Sequence, residues 1–568
     1  MLIGIDLGTT NSAVAIWQDE APQLVPNALG EVLTPSAVSI DTDGQTLIGQ
    51  AALERMATHP ADTVTSFKRF MGTSRTVKLG KRTFAPDELS ALVLMALVSD
   101  VEAQTGTRPH EAVITVPAYF NDRQRKATRR AGELAGLEVK RLINEPTAAA
   151  LAFGLATRGD REPFLVFDLG GGTFDVSVVE MFDGIVEVRA SGGDNRLGGD
   201  DFNHALISLM EPRIDPLGLL KTIPADRRAA QLFQAAERTR RRLSETDKAE
   251  FAVALADQRL SAQVTADEFE QAASDLIARL RDPVARALRD CAIDAASLSE
   301  IVMVGGSTRM PVVRRALTRM FGRFPNATVH PDHAVALGAA IQAGLLSRGD
   351  GLDEIRITDV CPFTLGVDSA QKDARGTLLT GLFSPIIDRN TPVPVSRIET
   401  YQTVSDNQRQ LEFEIYQGES REVSGNIALG KLSVPIPPRP AGEITADVRF
   451  SYDSSGLLEV DVTIPSSGLT RNLVIVSEDD RSDAMGLEQR RAALAKLKFH
   501  PRETTENITL MARAERCYEG CIGDERQMVG RWIADFTGAL ERQDPRQISE
   551  GRQQLAGLLD QIDLHAPL

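Results

Sequence analysis

One phosphate-loop pattern is written twice in this chain, and no other feature constrains the fold as much. Near the N-terminus stands Ile-Gly-Ile-Asp6-Leu-Gly8-Thr9-Thr10-Asn11; further on stands Val-Phe-Asp168-Leu-Gly170-Gly171-Gly172-Thr173-Phe-Asp175. Each copy reads as a short apolar strand, an Asp, a Gly-rich turn with a hydroxyl, and a second strand of alternating apolar residues. Glycine lets the backbone come close to an anion, and successive N–H groups in such a turn form a concave anion site. An Asp at each strand end suits a hydrated Mg²⁺, which prefers carboxylates plus waters. Two facing copies would grip one nucleoside polyphosphate from both sides. The matched pair therefore points to ATP chemistry in a duplicated α/β domain.

At 568 residues the chain exceeds one ordinary core, so several domains are expected. A net charge of −16 argues against attraction to nucleic acid or acidic membrane surfaces. No apolar run approaches the ~18 residues of a membrane span. The start, Met1-Leu-Ile-Gly-Ile, reads as a strand and not as a signal peptide, and four cysteines do not make a disulfide framework. The expected location is cytoplasmic. Cys517 and Cys521 share a helix face, but no further zinc ligands lie nearby, so packed or half-exposed thiols are expected.

Residues 1–350 alternate strand and helix patterns. Ala112-Val-Ile-Thr-Val116 is a strand closed by Pro117, residues 121–135 have helical spacing, and 139–144 form a strand before Glu145-Pro146 and an Ala-rich helix. Ile301-Val-Met-Val304 runs into Gly305-Gly306-Ser307-Thr308 and another helix, the geometry that offers N–H groups to a phosphate. Residues 351–361 carry a charged run and read as a linker. Over 362–475 the period becomes two, as in an antiparallel β-module with a turn at Asp453-Ser-Ser-Gly456. Residues 476–568 read as a helical tail, with Pro501 and Pro545 expected to interrupt its helices.

The order of these parts resembles the heat-shock-seventy (DnaK-type) molecular chaperone family, and in detail its shorter, specialised bacterial HscC-like members. Further motifs carry the resemblance: Val116-Pro-Ala-Tyr-Phe-Asn-Asp122, Ile143-Asn-Glu-Pro-Thr-Ala-Ala-Ala150, Leu197-Gly-Gly-Asp-Asp-Phe202, Val304-Gly-Gly-Ser-Thr-Arg-Met-Pro311 and Pro331-Asp-His-Ala-Val-Ala-Leu-Gly-Ala-Ala340. It implies a multidomain chain: a duplicated actin-like α/β ATPase domain, an antiparallel β-sandwich that binds peptide, and a C-terminal helical lid. ATP or ADP and Mg²⁺ are the implied cofactors, with K⁺ a further candidate. Asp6 and Asp168 would surround the metal. Lys68 matches the catalytic lysine, Glu145 sits beside the attacking water, and Thr173 and Asp175 belong to the catalytic group. Gly8, Thr9, Thr10, Asn11, Gly170, Gly171 and Gly172 would hold the phosphates. Glu237, Arg240, Arg241 and Ser244, with Gly305, Gly306, Ser307, Arg309 and Asp332, would clamp the adenosine. Taken alone, Lys68 would be a solvated charge, and the basic run 238–242 an exposed helix face.

In the β-module the resemblance marks Val367, Ala370, Tyr401, Val404, Leu411 and Phe413 as peptide contacts, with Ala370 and Val404 arching over a bound strand. Pro117, Arg125 and Asp359 would couple the two domains. The implied partners are unfolded or extended polypeptide clients and a J-domain co-chaperone, with an exchange factor dispensable. Three departures from the family stand out. A charged Arg356 replaces linker leucines, which predicts weaker or altered docking; the segment between Ser244 and Glu268 is short; and no acidic tetrapeptide ends the chain. Two rival readings are a small-molecule kinase on the same fold and a nucleotide-holding co-chaperone that does not cycle.

Overall fold

The computed structural model describes residues 1–157, 161–182, 185–255, 258–326, 328–347, 356–372, 378–393, 395–452, 458–475, 501–521, 523–541 and 545–565. The expected turn at 453–456, the proposed boundaries near 350 and 476, and the first half of the linker lie outside these residues.

Two sheets repeat one plan. In the first, Leu2–Asp6 lies between the antiparallel Asn11–Gln18 and the parallel Glu111–Val116, with Glu138–Asn144 outside the latter. In the second, Arg161–Leu169 lies between the antiparallel Phe174–Phe182 and the parallel Ile301–Val304. The central strands are apolar on both faces because helices cover both. Ile3, Ile5, Phe164 and Phe167 are fully buried.

Two helices, Glu145–Thr157 and Ala334–Leu346, pack between the sheets. They are apolar nearly all round and rich in alanine, as a helix enclosed on every side must be. Glycine sets their spacing: a Cβ on Gly338 would overlap the Ala148 carbonyl, and one on Gly4 would overlap the backbone of Ala339 and Ala340. Both phosphate loops thus face one cleft. Outer elements complete each lobe, including the strands Ala37–Ile40 and Thr63–Thr65 on one side and helix Ala225–Leu243 on the other.

The β-module is a sandwich of two four-stranded antiparallel sheets among the described residues. One contains Leu365–Lys372 and Gln410–Gln417; the other contains Val395–Gln402, Thr445–Tyr452 and Leu458–Ile464. The period-two residues Val448, Phe450, Val460, Val462 and Ile464 point inward and are fully buried.

Arg356–Val360, within the expected linker, is a strand. It pairs in parallel with Ile185–Asp194, extending the second sheet, and its end pairs with Pro392–Val393 of the β-module. Side-chain contacts reinforce this docking. Arg389 grips Asp290 through two hydrogen bonds of 2.8 and 3.0 Å, Asn390 Nδ2 also donates to Asp290, and the Tyr119 ring packs on Phe363 with centroids 4.5 Å apart.

The tail forms helices Pro501–Gly520, Gly523–Glu541 and Pro545–His565 around Leu510, Phe536 and Leu559. Pro501 and Pro545 begin helices and do not interrupt them, since a first-turn residue needs no N–H partner. Cys517 and Cys521 are buried in this small core. The first tail helix rests on the N-terminal lobes: Ile508 packs against Ala51 and Ala52, Arg516 pairs with Glu54, and Glu519 pairs with Arg227. None of the helices among the described residues is long and apolar enough to cross a membrane.

Candidate functional site

A cavity of about 420 Å³ lies between the lobes. On its first wall, the turn after Leu2–Asp6 is tied by Ser12 and Ser36: the Gly8 N–H donates to Ser12 Oγ, and Ser36 Oγ donates to the Gly8 carbonyl at 2.7 Å. Across from it, the Gly170 N–H closes its own turn onto the Thr173 carbonyl, and Ser307 Oγ donates to the Gly170 carbonyl. The two turns nearly touch. A Cβ on Gly171 would overlap Thr10 Oγ1, and that hydroxyl is buried with no hydrogen-bond partner among the described residues. Gly170, Gly171, Thr9, Thr10 and Asn11 line the cavity; Gly172 lies behind it, packed on Thr9 and the stem of Arg69.

The floor is acidic. Asp6, Asp168 and Glu145 line the cavity around one cation, Lys68, whose Nζ is 2.7 Å from Glu145 Oε1. Asp175 sits deeper, accepting the Tyr119 N–H at 3.1 Å. Burial, and then the Glu145 charge, push the Asp6 carboxyl up to about 7 and Asp175 to about 8; the same causes raise Asp168. A divalent cation fits such a floor, because it relieves the repulsion that burial intensifies. Among the described residues, no three carboxylate, His or Cys groups converge closely enough to chelate an ion directly.

The far wall comes from helix Ala225–Leu243. Glu237, Arg240, Arg241 and Ser244 all reach the cavity, each three or four positions from another. Arg241 pairs with Glu237, and Arg240 Nε donates to Asn203 Oδ1 at 2.8 Å. The basic run is therefore not uniformly solvated: Arg240 turns inward while Arg242 stays exposed. Gly305, with φ 81°, turns the chain into Gly306, Ser307 and Arg309, and Arg309 pairs with Asp332 at the rim. Gly199 and Asp200 also line the cavity, and sequence reasoning gave them no role. The only signal for them was the motif Leu197-Gly-Gly-Asp-Asp-Phe202, which names no partner.

Behind the floor, the residues expected to couple the domains meet. Asn144, next to Glu145, donates to Asp359 Oδ2 at 2.8 Å and accepts from Arg125; Thr147 also donates to Asp359. Arg125 further donates to the Phe120 and Ala118 carbonyls in the turn begun by Pro117, and the Phe120 ring faces Lys68 Nζ at 5.5 Å. In the sandwich, Val367, Leu411 and Phe413 are buried, with Phe413 edge-on to Tyr401. Ala370 and Val404 are half-buried, on strand Leu365–Lys372 and just after strand Val395–Gln402.

The model of the Hsp70 protein family matches residues 2–78 and 73–521. The chain belongs to the Hsp70 family. Among its relatives are the chaperone protein DnaK of Thermotoga neapolitana, of Thermotoga petrophila and of Thermotoga maritima. Each is 42% identical over 495 residues, covering 85% of this chain and 81% of the relative. As an Hsp70 it is an ATP-dependent molecular chaperone and an ATP hydrolase. The kinase and non-cycling readings are not favoured.

Proposed function

We propose that the cleft hydrolyses ATP with the residues assembled on its floor, and that the docked linker strand carries the result to the peptide site. The observation that carries this reading is the Asp359–Asn144 hydrogen bond: a linker carboxylate is held one residue from Glu145, at the head of the helix that presents Glu145 to the cleft. Phosphoryl transfer to water needs positioning and charge neutralisation more than covalent help. In this reading the two Gly-rich turns hold the phosphates through their N–H groups, and Lys68 leaves Glu145 to meet the γ-phosphate. Glu145, released, orients the attacking water. Thr173 closes the second turn, and Asp175 anchors Tyr119 behind it. Glu237, Arg240, Arg241 and Ser244 hold the adenosine with Gly305, Gly306, Ser307, Arg309 and Asp332. Asp6 and Asp168 would hold hydrated Mg²⁺, which supplies charge neutralisation at the β- and γ-phosphates; K⁺ is a further candidate.

Residues 1–350, 351–361, 362–475 and 476–568 then act as motor, linker, peptide module and lid. An extended apolar peptide would bind through main-chain hydrogen bonds and a pocket floored by Leu411. Because coupling is reciprocal, peptide should favour hydrolysis through Asp359 and Arg125. We further read the protein as an HscC-like, cytoplasmic member that works with a J-domain co-chaperone and without obligatory exchange factor; the short segment after Ser244 supports the last point. Single-turnover ATP hydrolysis, with and without unfolded polypeptide and a J-domain protein, tests the reading. Hydrolysis indifferent to all of them would sink it.

A further inference from the structure

Lys68 sits in the short 3₁₀ turn Phe67–Phe70, and the residue before that turn is strained. Ser66 has φ 54° and ψ 22°, the left-handed region that a side chain disfavours. The restraint on it comes from the opposite lobe. Ser66 Oγ donates to Asp200 Oδ2 at 2.8 Å, and Asp200 is in turn fixed to the second phosphate turn, its N–H donating to the Gly171 carbonyl at 2.8 Å. On the other side of Lys68, Arg69 Nη2 donates to Asp201 Oδ2 at 2.6 Å, while its stem lies over Gly172. The lysine is thus bracketed by two ties, both to the first turn of helix Gly199–Ile214 across the cleft.

We propose that Ser66 and Asp200 are a positioning pair that aims Lys68 only when the two lobes close. Opening the cleft removes Asp200, frees the Ser66 turn to relax to a commoner backbone conformation, and swings Lys68 out of register. Closure restores the tie and the aim together. Hydrolysis is in this way conditioned on a closed cleft by a contact separate from the metal, the phosphates and the linker. The inference rests on the reading of Lys68 as the γ-phosphate ligand.

The test compares the full chain with Ser66→Ala, Asp200→Ala and the double variant, measuring single-turnover hydrolysis and, separately, equilibrium ATP affinity. Each single variant should hydrolyse about tenfold more slowly, with ATP affinity held within about twofold, because a misaimed group costs rate more than binding. The double variant should be no slower than the slower single, the sign of one shared contact. Hydrolysis by Ser66→Ala within twofold of the parent overturns the inference, as does a double variant showing the product of the two losses. Lys68→Ala separates the two levels of argument. If Lys68→Ala hydrolyses normally, the reading of the site fails and the inference with it; if it does not, but Ser66→Ala does, only the positioning pair fails.

Discussion

Lys68 Nζ and Glu145 Oε1 form a 2.7 Å ion pair from which water is almost entirely excluded, the lysine being 3% exposed. One partner comes from a 3₁₀ turn and the other from the head of the helix beside the linker. In the proposed reading, the pair holds both groups in each other's charge until a phosphate competes for the lysine.

Replacing Lys68 by Ala should lower single-turnover hydrolysis by about 100- to 1,000-fold, the cost of removing a preorganised charge from a transition state. ATP should still bind, since both phosphate turns remain. The same change removes the cation paired with Glu145 beside Asp6, Asp168 and Asp175, so the nucleotide-free protein should melt at a lower temperature. Undiminished turnover would remove Lys68 from catalysis.

The acidic floor predicts a pH dependence. In the metal-free protein, Asp6 and Asp175 bind protons more tightly folded than unfolded, with folded values of about 7 and 8 against an ordinary 3.8. Their contribution is therefore favourable at low pH and is lost as pH rises through 7 and 8, by up to about 1.4 kcal/mol per pH unit per group. Thermal melts in chelator should show a midpoint that falls as pH rises from about 4 to about 8 and levels off above that. Mg²⁺ and ADP should flatten that fall by stabilising the ionised carboxylates. A chelated profile that rises with pH would contradict the assignment.

Asp359→Ala removes the acceptor for Asn144 and Thr147 while leaving the acidic floor untouched. Basal hydrolysis should stay within about twofold, and stimulation by peptide should fall at least fivefold, a coupling of about 1 kcal/mol. Intact stimulation would move the coupling path elsewhere, with the Arg389–Asp290 contact the next to test.

The first tail helix holds Glu54 of one lobe through Arg516 and Arg227 of the other through Glu519. Labelled ADP should therefore leave residues 1–350 faster than the full chain, by roughly two- to tenfold, since exposed pairs contribute only about 0.2–1 kcal/mol each. Equal release rates would show that the tail does not brace the cleft.

Much of this arrangement was legible in the sequence, for physical reasons. Paired Gly-rich turns, each following a buried strand, have few other uses, and period-two alternation at Val448, Phe450, Val460 and Val462 can only build a sheet with one buried face. The docked linker was not legible. The charge of Arg356 argued against docking, whereas edge pairing uses backbone groups that every residue except proline carries. The prolines misled in the same way: their effect depends on position in the helix, which composition does not give. Asp200 was missed because its partner, Ser66, lies 134 residues away. Gly172 and Asp175 were grouped with the cleft by motif, although their contacts place them behind it.

The parallel pairing of Arg356–Val360 with Ile185–Asp194 has a consequence for solubility. The linker strand caps the margin of the second sheet, and undocking would strip that margin of its neighbour. The uncovered row of backbone donors and acceptors would be a template for any other extended chain, including another molecule of the same kind. Each working cycle that frees the linker would expose an adhesive seam, so self-association should track the undocked fraction rather than the amount of unfolded protein.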